Sequence, residues 1–193
     1  MILVFSYWEK FCAALAKQGC HSVTAASSLS RGGGQQLYLI LKHDVETDVS
    51  KAFQIAYIEQ KYGHCASYYV QAYLLAEEKN VEMLRQMQAM GHEISYHYDV
   101  MDATNGDKIE AQRLFDKNVQ VFEDNGFPIT SICQHGNPIV NRIGYTSNRD
   151  FFRDSSISGC YPQMADIMVN FKEKAQTDYL YFSDAGRRVK MIF

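Results

Sequence analysis

Apolar, strand-like runs that alternate with segments of helical periodicity are the feature that most narrows what this chain can fold into. The runs are "LYLILK" (37–42), the start of "ASYYVQAYLL" (66–75), "HEISYHY" (92–98) and "ITSICQHG" (129–136). Between them, Ala52, Phe53, Ala56 and Tyr57, then Val81, Leu84 and Met87, then Ala111, Phe115, Val119 and Phe122 recur at the three- and four-residue spacing of one helix face. Gly63, Gly91 and "NGFP" close those helices. An earlier helix is predicted over 6–19, where Trp8, Phe11, Ala14 and Leu15 precede Gly19, and "TAASSLSRGGGQQ" follows as a polar connector. "LYLILK" reads as one strand buried on both faces, and "ASYYVQAYLL" as a strand that frays into a loop. Such alternation with short connections predicts an α/β fold built on a parallel sheet or barrel. After Gly136 the pattern weakens into a long loop with a short helical turn, before a last strand, "DYLYFSD", and a basic tail.

At 193 residues the chain has the size of a single domain. With 47% hydrophobic and 21% charged residues it has globular composition, and a formal charge of −3 leaves no basic footprint for nucleic acid. "MILVF" runs into Tyr7, Trp8, Glu9 and Lys10 without the features of a secretion signal, and no stretch is long enough to span a membrane. Five cysteines without a C-x-x-C pair suggest free thiols in a reducing cytoplasm.

In parallel α/β folds the chemistry gathers at the carboxyl ends of the strands. Here those ends carry His43, Asp44 and Glu46, then His97 and Asp99, then His135, and finally Asp184. Imidazoles and carboxylates converging from separate strands suit a divalent metal with an open position, zinc foremost. Asp44 and Glu46, two residues apart on an extended strand, face one site, whereas Thr47 or Asp48 more simply caps the next helix. His92 reads as structural, and His64 and His21 as surface residues. "RGGG" lacks the spacing of a dinucleotide loop, and the methionines of "VEMLRQMQAMG" read as gap filling.

The segments "LKHDVETD", "GHEISYHYD", "ICQHGNP" and "YFSDAGR", in that order, resemble the polysaccharide deacetylase superfamily, carbohydrate esterases that share the nodulation-factor deacetylase domain. The similarity runs from the first helix to Arg187 and is nearest the branch with a "HDVD" first motif. The resemblance implies a distorted (β/α) barrel over 1–193, incomplete where the family's C-terminal motif is missing, and metal-dependent removal of N- or O-acetyl groups from a sugar. It implies Asp44 as general base and Glu46 and His97 as metal ligands. The family's second histidine falls on Met101, so His135 is the candidate to replace that ligand or to serve as catalytic acid. His43, Arg187 and the loop 137–153 are candidates for holding the carbohydrate. The rival expectation is a carbohydrate-binding or scaffold domain of the same fold that has lost its chemistry, and a third is metal-free hydrolysis of a small amide.

Overall fold

The computed structural model describes residues 5–20, 22–29, 38–173, 181–183 and 190–192, with side chains as far as residue 170. His21, Asp184, Arg187 and the "RGGG" connector lie outside the described residues. Helix α1 (Phe5–Lys17) leads into β1 (Ser22–Val23), α2 (Ala25–Leu29), β2 (Leu39–Ile40) and β3 (Lys42–Val45). Then follow α3 (Val49–Lys61), β4 (Ser67–Val70), a 3₁₀ helix (Ala72–Ala76), α4 (Glu78–Ala89), β5 (Glu93–Tyr98), α5 (Val100–Ala103), α6 (Lys108–Asp124) and β6 (Ser131–Gln134). Two one-turn helices, α7 (Asp150–Arg153) and α8 (Ser155–Ser158), precede β7 (Ala165–Asp166), a π-helical segment (Ile167–Glu173), β8 (Tyr181–Ser183) and β9 (Lys190–Ile192).

Strands β3 to β7 form one five-stranded parallel sheet whose spatial order is the chain order. The predicted α/β class and parallel sheet are therefore present. The run "LYLILK", expected as one strand, divides at Leu41: β2 pairs in parallel with β1, while β3 opens the larger sheet and Leu41 itself accepts a hydrogen bond from the Ser67 amide. The stretch after β4 winds into the 3₁₀ helix instead of fraying, which buries Leu74 and Leu75. The loop after Gly136 contains two short helices where one turn was expected, with Asp154 between them accepting from the Ser156 amide. Part of the basic tail is β9, antiparallel to β8.

Alternation along the strands divides the residues between two faces. One face carries Tyr68, Val70, Ile94, Tyr96, Tyr98 and Ile132 into the main core with α3, α4 and α6. The predicted face of α6 is buried as read, and Phe115 meets Tyr96, Tyr98, Phe151, Phe152 and Tyr161 with ring centroids 5.0–5.9 Å apart. The other face is polar. Ser67 and Ser131 donate to the two oxygens of Glu93 at 2.6 and 2.5 Å, Tyr69 donates to Ser131 at 2.7 Å, and the Ala26 amide completes the carboxylate's shell at 3.0 Å. Buried polar groups are tolerated because they are partnered in this way.

If Phe115 ties α6, β5 and the 150–161 segment together, Phe115→Ala should lower the unfolding free energy by about 3–5 kcal/mol. Urea denaturation monitored by circular dichroism measures it, and a loss below about 1 kcal/mol would show that the aromatic cluster is not the anchor of these elements.

Candidate functional site

His97 sits on the polar face of β5, in register with Cys133 of β6, and is almost wholly buried. Its Nδ1 lies 3.1 Å from the Cys133 carbonyl oxygen, an atom that can only accept, so Nδ1 carries the proton and neutral His97 presents the lone pair of Nε2. Two groups meet that lone pair. Glu46 Oε1 is 3.5 Å away, and His135 Nδ1, from the residue just past β6, is 3.2 Å away. Glu46 Oε1 and His135 Nδ1 are themselves 2.9 Å apart.

These separations can be compared with those a metal would impose. Bonds of about 2.0–2.2 Å at tetrahedral angles hold neighbouring ligand atoms about 3.3–3.6 Å apart; the separations of 3.5 and 3.2 Å lie in or next to that range, and the third, 2.9 Å, is shorter. A carboxylate and two imidazoles are hard-to-borderline donors suited to zinc and related divalent ions. The Cys133 carbonyl on the far nitrogen of His97 is the kind of outer partner that ligating histidines use. Glu46, His97 and His135 thus form a group that could hold a metal ion through three ligand atoms.

Asp44 stands beside this trio, its Oδ1 3.7 Å from His97 Nδ1 and its Oδ2 2.6 Å from the Lys42 ammonium. Burial works against the Asp44 charge, but Lys42, His97 and His43 outweigh it and hold the carboxyl below its ordinary value. Glu46 is also held below its ordinary value, chiefly by the neighbouring His97 imidazole, against burial and with a further contribution from His135. Asp44, His97 and Cys133 form a second possible ligand group. It would need His97 Nδ1, which already donates to the Cys133 carbonyl, and a thiol that burial pushes well above its ordinary value. The trio is the better site. Asp99, two residues beyond His97, is raised by burial, against the pull of His135 and of its own backbone amide.

A clamp that the sequence did not reveal fixes the chain around His135. Asn148, fully buried, donates to the His135 carbonyl and to Asp102 Oδ2, both at 2.9 Å, and accepts from the Asp102 amide. Arg142 grips both oxygens of Asp102 at 2.7 Å and the Asn137 carbonyl at 2.8 Å, while Tyr145 donates to Asp102 at 3.1 Å. Burial opposes the Asp102 charge, but Arg142, Tyr145 and Asn148 leave the carboxyl below its ordinary value. The Tyr145 ring lies where a Cβ on Gly106 would approach within 2.6 Å, and Gly106 has φ +86°, so both packing and backbone favour glycine there. Asp102 is separated from its partners Arg142, Tyr145 and Asn148 by 40 to 46 residues, which is why no local pattern announced them.

Of the residues singled out in the sequence, Asp44, Glu46, His97 and His135 come together. His43 does not. Strand alternation turns it to the helix side, where Nε2 is 2.6 Å from the buried Glu59 and the ring stacks on Tyr68 at 4.8 Å. Asp48 caps α3 as read, accepting from the Ser50 and Lys51 amides. His92 is structural as read, bonded between the Ala66 amide and the Ala56 carbonyl. His64, read as a surface residue, is buried against the Cys12 carbonyl and Ser22. Met101, where the resemblance places a second histidine, is fully buried in the core. Among the described residues no helix is long and apolar enough to cross a membrane. No family model, curated protein or solved structure matches the chain.

Cutting the clamp should loosen His135 without touching a ligand. Asp102→Ala is expected to weaken zinc affinity by about 10–100-fold, as loss of outer partners typically does. Competition with a chromogenic chelator reads the change, and unaltered affinity would show that the clamp does not position His135. Because the Asp102 carboxyl is depressed in the folded state, its stabilisation is complete above the ordinary Asp value near 3.8 and lost as pH falls through the lower folded value.

Proposed function

We propose that the protein is a metal-dependent hydrolase that removes acetyl groups from a carbohydrate, with Glu46, His97 and His135 as ligands and Asp44 as general base. The observation that carries the metal is the convergence of three ligand atoms from three strand ends, with the far nitrogen of His97 tied to a carbonyl. The carbohydrate, the acetyl group and a barrel-type closure of the sheet rest on the resemblance of the four motifs, with which the sequential strand order and polar inner face agree. A divalent cation held by the trio, zinc best fitting this donor set, would polarise the acetyl carbonyl and acidify a water.

The chain's own residues supply the rest. Lys42 holds one oxygen of Asp44 and favours its ionised form, and the other oxygen lies 3.7 Å from His97 Nδ1. Asp44 therefore takes the proton of the attacking water. His135 lies within the ligand trio and is not available as the separate acid considered from sequence. Asp44, having gained the proton, is the group placed to return it to the leaving amine or alcohol. Met101 offers no ligand from the core, and His135, arriving from a different strand end, takes the place of the expected histidine.

Elemental analysis of protein purified without chelator, together with acetate release from acetylated chito-oligosaccharides, tests this reading. Zinc should be retained by the wild type and lost from Glu46→Ala, His97→Ala and His135→Ala. Asp44→Asn should keep the metal while acetate release falls by about 10²–10⁴-fold, the usual contribution of a positioned base. No bound divalent ion and no acetate with added zinc would leave a carbohydrate-binding or scaffold domain, and activity that survives chelation would favour metal-free hydrolysis.

A further inference from the structure

Glu59 puts a carboxyl group on the buried face of a helix. It extends the apolar stripe of Ala52 and Ala56 on α3, is fully buried and lies on the helix side of the sheet, away from the trio. A buried carboxylate persists only where it is partnered, so its partners show what it holds together. Tyr68 of β4 donates to Oε2 at 2.6 Å, and Nε2 of His43 lies 2.6 Å from Oε1. His92 Nδ1 is 3.7 Å away but accepts from the Ala66 amide, so it offers Glu59 no proton. One carboxylate thus ties α3 to two strands at a registered pair, since His43 sits opposite Tyr68 and stacks on its ring at 4.8 Å. Trp8 of α1 closes the group, edge-on to the His43 ring at 5.3 Å.

Strand β3 has few other anchors. It is four residues long and, among the described residues, has β4 as its one neighbour in the five-stranded sheet. On its helix side Val45 supplies apolar packing, and His43 supplies the directional contact. Successive residues of a strand point to opposite faces, so the bond that turns His43 toward Glu59 also turns Asp44 toward His97. We propose that the His43–Glu59 pair positions Asp44: from the helix side it fixes the phase of β3, and with it the direction in which the Asp44 carboxylate points. His43 and Glu59 are positioning residues that touch neither metal nor substrate. The task of Asp44 rests on the deacetylase reading above, and the first test is independent of turnover.

His43→Phe/Glu59→Gln removes the pair, while Phe keeps a ring on Tyr68 and Gln keeps an acceptor for its hydroxyl, so no buried carboxylate is left without a partner. In hydrogen–deuterium exchange, peptides covering 42–46 should exchange at least about tenfold faster than in the wild type, with those covering β5 and β6 unchanged. Unchanged exchange over 42–46, or an equal rise throughout the sheet, overturns the lock. Kinetics then separate positioning from general loosening. The double variant should lower kcat for acetate release about 10–100-fold, with KM and zinc affinity within about twofold of the wild type. Added to Asp44→Asn it should cost no further activity, because both changes act through one carboxylate, and losses that multiply overturn the role. His43→Gln, whose amide can donate to Glu59, should keep kcat within about threefold of the wild type, and a loss as large as that of the double variant overturns the bond as the cause. Should the double variant fail to fold, Glu59→Gln, which weakens the bond, carries the same tests with the same signs. Faster exchange over 42–46 in the variant, together with no acetate from the wild type, would retain the lock and remove the catalytic reading.

Discussion

The hydrogen bond from His97 Nδ1 to the Cys133 carbonyl is the contact on which the candidate site depends. It crosses from β5 to β6 at a registered pair, so the sheet itself sets the tilt of the ring and aims Nε2 at Glu46 and His135. A one-residue slip of β5 would carry His97 to the helix side and bring Tyr96 or Tyr98 to the polar side. What resists the slip is the burial of those two tyrosines against α6, where Phe115 and Phe122 pack on Tyr96 and Phe115 also packs on Tyr98. The site's precision is thus set by the hydrophobic face opposite it.

The polar face imposes its own condition, because each buried donor or acceptor left unpaired costs about 1–3 kcal/mol. Glu93 takes the hydroxyls of Ser67 and Ser131, and Ser95 donates to the Ser131 carbonyl. This fully bonded floor lies toward the start of the strands, and Asp44, His97, Glu46 and His135 lie toward their ends. The parallel arrangement separates this support from the candidate site because every strand runs the same way. The clamp of Asp102, Arg142 and Asn148 then does for the chain beyond β6 what the ladder does within the sheet.

Much of the scaffold was legible because its causes are local. The period of α6 and the cap at Asp48 involve residues within a turn or a few turns of one another. Asp44 and Glu46, read from their spacing as facing one site, both approach His97, Asp44 at Nδ1 and Glu46 at Nε2. Strand alternation would have excluded His43 from that site had its phase been taken from Asp44. The split of "LYLILK" at Leu41 was not legible, because apolar residues suit either partner strand and the pairing is decided by β1 and β4. His64 between Gly63 and Cys65 resembles an ordinary turn residue, and only the approach of α1 and β1 buries it.

The sequence by itself determined the succession of strands and helices, the residues that face the core, and the strand ends at which acids and histidines accumulate. These follow from periodicity and from the chemistry of single residues. Only the tertiary structure decided that His135 joins Glu46 and His97 in one possible ligand group, that Met101 is core, and that Asp102, 46 residues from Asn148 in the chain, bonds the residue that holds the His135 carbonyl. Each of those outcomes is a distance between remote parts of the chain, set by sheet register and by the packing of α6, and no local pattern encodes it.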